Sequence, residues 1–425
     1  MNISIKKKYM MVAIGMPVAL FFGNFIYDLV DDQTITENEK LVEITESHIT
    51  GYDKGQLNWK VTVRNAWAKK NRSMYYADSI TSGIIYDSDG SVLIDSISAS
   101  DVKINTKINS IAIKKGASAR FLHQEPVTKN GLIANEKPAK QPIIIKSDEL
   151  RYFSDTEKVF LKKGVELIKE SHTIKPLHGA EIDNEKKIAH IENGFHIESK
   201  EFFVSGNKMT IFIDDKLSEL SGNLMFERFA SENVNEDLDE QEKTLRQKRS
   251  LLFADEGMFY ENDEGDQLFV TGNVLLQQPD KEVAAYSGYY NQGTDIMALN
   301  KDVMITLDNL NWAIDQSMNS QLSNKDIKQS LNQQTTITCS SFLFDGNTRI
   351  TTLKGNIKIV QADKTIFCDK LTMADQTSIV ECFGNVKVIK DKKDSIKTGY
   401  LVIDLNKETF VAKKGVYSEY HLDEN

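Results

Sequence analysis

The stretch Met373-Ala-Asp-Gln-Thr-Ser-Ile-Val-Glu-Cys-Phe-Gly-Asn-Val-Lys-Val388 places uncharged residues three positions before Asn385 and apolar residues one and three positions after it. The same arrangement recurs about anchors at Gly116, Gly164, Gly194, Asn223, Asn273, Asp302, Asn356, Asn385 and Gly415. Their spacings are 48, 30, 29, 50, 29, 54, 29 and 30 residues, so a unit of about 29 residues repeats and three gaps carry an insertion of about 20. Three residues before the anchors stand Ile113, Leu161, Ile191, Leu220, Val270, Leu299, Leu353, Cys382 and Ala412. Steps of two on either side of each anchor are strand periodicity with one apolar face. Gly, Asn and Asp are the residues that tolerate positive φ, so each anchor reads as a tight turn or bulge.

Farther upstream, pairs such as Leu150 and Tyr152, Met209 and Ile211, Phe342 and Phe344, Leu371 and Met373, and Leu401 and Ile403 mark a second strand. Polar turns such as Ser154-Asp155, Asp214-Asp215 and Asp345-Gly346 close it. One such unit is compatible with any β-core. Nine in one chain predict an elongated stack in which each unit buries its apolar face on its neighbours. The expected stripe contains Val165, Leu167, Phe195, Ile197, Leu224, Phe226, Val274, Leu276, Ile357, Ile359, Val386 and Val388.

Outward from the repeats, residues 1–30 read as a membrane anchor. Lys6, Lys7 and Lys8 precede an apolar run from Tyr9 to Tyr27, long enough for a hydrocarbon core and without a small-x-small cleavage site. Positive charge stays in the cytoplasm, which puts the chain from about residue 31 on the other side. Within the 31–125 segment, residues 31–50 are polar and read as a flexible lead-out, and residues 51–125 carry strands of their own, including Trp59-Lys-Val-Thr-Val63. Residues 126–142, with Pro126, Asn130-Gly131, Pro138 and Pro142, form the expected linker. Residues 143–425 hold the remaining repeats, with polar insertions at 229–250 and 309–335.

The chain has 425 residues and a formal charge of -10, with no basic stripe for phosphate contacts, so a nucleic-acid partner is not expected. Phosphate-binding, serine-hydrolase, zinc-protease and Cys-x-x-Cys motifs are all missing. His172, His178, His190 and His196 cluster in sequence without accompanying carboxylates or thiols, and solvent-facing side chains are the expectation for them. No enzyme activity, metal or cofactor is expected. Three cysteines are too few for a disulfide framework; Cys339 and Cys368 lie one repeat apart and are either two buried thiols or a pair.

The anchor, the Trp59 strand with the Asp89-Gly90 hairpin, and Gly222-Asn-Leu224, Gly272-Asn-Val274, Gly355-Asn-Ile357 and Gly384-Asn-Val386 together resemble the proteins of the lipopolysaccharide export bridge. Residues 31–125 are similar to the membrane-anchored LptC component and 143–425 to the LptA or OstA-like component. The resemblance implies an open β-jellyroll whose apolar interior, with Trp59 at its start, holds acyl chains. It also implies a periplasmic location on an inner-membrane anchor, and lipopolysaccharide or a related lipid as ligand. The implied partners are an inner-membrane ABC transporter and end-to-end contact with another OstA-like protein or the outer-membrane translocon. A ligand-free structural β-solenoid is the competing expectation, and the filling of the interior separates the two.

Overall fold

Strand periodicity becomes strand throughout. The computed structural model describes residues 42–53, 55–68, 73–86, 90–122, 142–169, 172–200, 202–229, 249–262, 265–308, 333–374, 377–391, 394–404, 407 and 409–421. The expected anchor over residues 1–30, most of the linker, and the bulk of both insertions lie outside the described residues. Among the described residues no helix is long and apolar enough to cross a membrane.

Five long strands come first: β1 (Val42–Asp53), β2 (Gln56–Ala68), β3 (Met74–Tyr86), β4 (Val92–Asn105) and β5 (Ser110–Phe121). β1 takes in most of the second half of the expected lead-out, because its backbone pairs with β2 along its length. Shorter strands then follow in pairs, each pair acting as one broken pass. They are β6 (Ile143–Ser147) with β7 (Glu149–Phe153), β8 (Lys158–Lys162) with β9 (Glu166–Lys169), and β10 (His172–Pro176) with β11 (Ala180–Asp183). The pairs β12 (Ile188–Ile191) with β13 (Phe195–Glu198) and β14 (Phe202–Gly206) with β15 (Lys208–Phe212) complete this section. Long strands resume with β16 (Leu217–Arg228), β17 (Ser250–Tyr260), β18 (Gln267–Gln278), β19 (Lys281–Asn291) and β20 (Ile296–Leu307). They continue as β21 (Thr335–Asp345), β22 (Ile350–Gln361), β23 (Lys364–Ala374), β24 (Ile379–Lys390) and β25 (Asp394–Asp404), and β26 (Thr409–Lys413) with β27 (Tyr417–Glu419) forms the last pass.

Every pairing is antiparallel and joins passes that follow one another in the chain. β5 runs alongside both β6 and β7, so one sheet continues across the linker. β16 pairs with β17 from Arg228↔Ser250 to Leu217↔Tyr260, carrying the sheet past the first insertion. The linker and both insertions leave the sheet from the same side. They connect Phe121 to Ile143, Arg228 to Ser250 and Leu307 to Thr335, each a registered pair at a hairpin tip.

The nine anchors do what their residue types suggest. All have positive φ, from +46° at Asn385 to +106° at Gly194. From Asn223 to Asn385 they are β-bulges inside continuous strands, with the ladder skipping between Ser221 and Leu224, Thr271 and Val274, Asn300 and Val303, and Phe383 and Val386, while Gly415 lies between β26 and β27. A bulge bends its strand and raises the local twist, and stacking nine in register hinges the sheet along one line. Each pass therefore has two arms. We call the portion before the anchor the leading arm and the portion after it the trailing arm.

A small polar side chain stands across from five of the glycines at or just before the anchors. A Cβ on Gly164, Gly222, Gly272, Gly355 or Gly384 would lie 2.5–2.8 Å from Asp148, Asn207, Asp255, Ser340 or Asp369, respectively. Asn273 and Asn385 donate side-chain hydrogen bonds to the same aspartates, 2.9 Å to Asp255 and 2.8 Å to Asp369. Glycine is required there twice over, by positive φ and by this contact.

A candidate apolar trough

Because side chains alternate, positions three before and one after each anchor point into the bend, and those five before and three after point inward farther along the arms. Except at the last pass, where Val416 is exposed, the innermost rows are shut. Val165, Phe195, Leu224, Val274, Ile357 and Val386, all one residue after an anchor, are between 0% and 3% exposed. Leu161, Ile191, Leu353 and Cys382, three before, are equally buried.

The outer rows divide the molecule. In the first half they too are closed, as Ile111, Ala119, Ile145, Val159 and Leu167 show. From β13 onward they open at most passes: Ile197, Phe226, Leu252, Leu268, Leu276, Ile337, Ile359, Ile366, Val380 and Val388 are half-buried while packing on the core, whereas Val204, Val283 and Ile305 in the same row stay closed. Trp59 belongs wholly to the closed half, 1% exposed, with its indole lying where a Cβ on Gly51 would be. The sequence stripe therefore contains three environments: a sealed floor (Val165, Phe195, Leu224, Val274, Ile357, Val386), a sealed first-half wall (Leu167 and, beyond the stripe, Trp59), and half-open walls (Ile197, Phe226, Leu276, Ile359, Val388).

Buried apolar residues form two clusters, one from Trp59 to Leu224 and one from Ala254 to Leu401. Phe226 packs against both. Near this junction an ion pair joins the two arms across the mouth: Lys169 Nζ, at the trailing-arm tip of β9, donates to Glu261, at the leading-arm tip just past β17. Asp266 on the same tip accepts the Asn262 N–H at 3.3 Å, and burial raises its carboxyl above the ordinary aspartate value. These residues carry no periodic signal, because their partnership depends on the twist of the sheet.

Above the trailing wall the inward row turns polar on either side of the buried Leu307. Gln278 donates to Ser250 at 2.7 Å and Gln361 to Thr335 at 3.0 Å. A separate depression of about 420 Å³ lies on the outer face of β17 and β18, where Tyr260, Phe269 and Tyr289 form an aromatic ladder. Its lining includes Glu261, the residue paired with Lys169 at the trough mouth.

The thiols belong to the trough floor. Cys339 and Cys368 are separated by the intervening strand β22, whose Ile357 is registered with Cys368. Two strand spacings of about 4.8 Å exceed the roughly 7 Å a disulfide tolerates, so the pair weighed from the repeat spacing is excluded. Cys368 instead meets Cys382 on the adjacent strand, and this contact together with burial pushes the Cys382 thiol up. Burial pushes Cys339 up to about 11. The histidines take unrelated positions: His172 lies against Phe202, His196 against Phe203, and His190 beside Thr210. Among the described residues no three His, Cys, Asp or Glu side chains are placed to hold a metal.

No family model and no curated protein matches the chain. Among solved structures it is similar to LptH, the LptA homologous periplasmic component of the conserved lipopolysaccharide transport device from Pseudomonas aeruginosa. That likeness has 13% sequence identity and a TM-score of 0.24, and covers 32% of this chain and 81% of the other.

Proposed function

We propose that this chain is a membrane-anchored lipid carrier, not an enzyme, holding acyl chains of lipopolysaccharide or a related envelope lipid in its trough on the way to the outer membrane. The observation that supports this reading is the pairing of a sealed apolar floor with apolar walls that are half-open between Phe226 and Val388 except at Val283 and Ile305. A fully packed scaffold has no reason to leave two inward rows half in water. Each methylene moved from water to such a wall gains about 0.8 kcal/mol, so a multi-acyl lipid crosses an aqueous gap only with its chains covered.

Like walls along the trough give near-equal sites, so movement has no built-in direction. An ATP-driven inner-membrane complex is the partner that would supply it, with residues 1–30 as the tether and the β-structure in the periplasm. At the other end, Phe410, Val411 and Tyr417 are 61%, 46% and 58% exposed on a last pass that pairs only with β25 among the described residues. An open edge of this kind accepts another sheet, whether a second OstA-like protein or an outer-membrane translocon.

The test is to purify the full chain from cell envelopes and identify co-purified lipid by mass spectrometry. Stoichiometric acyl lipid, depleted when Ile359 is changed to Asp, is the expected result. A lipid-free protein that also takes up none from added lipopolysaccharide micelles overturns the proposal. Removing residues 399–425 is expected to abolish end-to-end association and leave the lipid bound upstream.

A further inference from the structure

The carrier reading treats the apolar interior as one continuous path, but the two halves are built differently. In the first half the internal gap among Val61, Ile97, Ile145 and Tyr152 is about 20 Å³, room for about one water. Tyr152 on β7 reaches across to β2, its hydroxyl donating to Asn58 Oδ1 at 2.7 Å and bracing one side of the interior against another. At the far end of this half the Lys169–Glu261 ion pair ties opposite arm tips together.

We infer that acyl chains are held only in the section built by β16–β25, entering through its mouth, and that the β1–β12 section is a clasped, packed core that takes no lipid. The inference rests on the carrier reading and assigns its ligand site. The occupant is an amphiphile, because the apolar walls end in two polar pairs at the rim, Gln278 with Ser250 and Gln361 with Thr335, on either side of Leu307, suited to chains below and a polar head above. For a chain to enter the first half, packed side chains such as Ile145 and Tyr152 would have to leave their places, forfeiting contacts that no space-filling ligand improves.

The experiment uses the full chain and a nitroxide-labelled fatty acid, which quenches tryptophan fluorescence at short range. In a Trp67→Phe, Trp312→Phe background only Trp59 emits, reporting on the closed section without disturbing it. Adding Ile359→Trp places a second reporter on the open wall. The expected result is that emission from the reporter at position 359, read as the difference between the two proteins, is largely lost at saturation while Trp59 keeps its intensity. Quenching of Trp59 as strong as that at position 359 overturns the inference and leaves the carrier reading standing. Quenching at neither position, with full tryptophan emission retained, overturns both. In cells, a photo-crosslinking residue at Ile359 and another at Leu167 give the parallel comparison: lipid adducts at 359 alone are expected. Adducts at both sites count against the closed core, and adducts from 359 only to this chain's own residues show a trough covered by the protein itself and also overturn the assignment.

Discussion

At the scale of the residue, the bulge glycines and asparagines set the shape. Gly384 combines φ of +70° with Asp369 Oδ2 only 2.5 Å from where a Cβ would go. Gly384→Ala is expected to destabilise the last repeats by about 1–2 kcal/mol, since an L side chain is strained at positive φ and must also displace Asp369. A denaturant midpoint that does not fall would show that the bulge tolerates a side chain. The partners Asp148, Asn207, Asp255, Ser340 and Asp369 were within reach of sequence reading, as a short polar residue 16 to 18 positions before most bulge-bearing anchors. They were missed because polar residues are common everywhere and only the ladder shows which one faces the glycine. The cysteines give a second prediction. Burial pushes Cys339 up to about 11 and Cys382 is raised as well, while the Cys382 contact lowers Cys368; all three side chains are nonetheless buried out of reach of reagent, at 7%, 0% and 3% exposure. Alkylation should therefore label no cysteine in the native state and all three after denaturation; rapid native labelling of any one would contradict their burial.

At the scale of the element, each pass works as a bent lever whose floor and walls answer differently to substitution. Leu224 is 1% exposed and Leu276 is half-buried on the same face of neighbouring anchor strands. Leu224→Asp leaves an unpaired carboxylate in the floor and is expected to cost several kcal/mol, whereas Leu276→Asp can turn its charge to water and is expected to cost about 1 kcal/mol. Urea midpoints of the two variants test this. Equal, large losses would show that the second-half wall is as tightly sealed as the floor. The element boundaries were legible because apolar residues alternate on both sides of a positive-φ residue. The closing of the first-half wall was not, since Leu167 and Ile359 occupy the same position relative to their anchors and differ only in what faces them.

At the scale of the whole molecule, sequential pairing makes stability a chain of neighbour terms. Each pass has two partners, except at the ends, and the first half adds cross-braces such as Tyr152 to Asn58. Backbone hydrogen exchange is expected to be slowest in β2–β8 and fastest in β26–β27, which pair on one side only. Protection of β26–β27 equal to that of β4 would mean that their free edge is covered.

Local pattern was enough for the repeat, its strand periodicity, the nine positive-φ hinges and the inward face, because these depend on interactions between residues near in sequence or one pass away. Which stretches of that face are sealed was settled only by the folded arrangement. Closure depends on which arm tips the accumulated twist brings together, and a pairing such as Lys169 with Glu261, 92 residues apart, leaves no mark on local pattern. The same reason separates the cysteines: Cys339 and Cys368 share a repeat position but have a strand between them, while Cys368 and Cys382 break the period and touch.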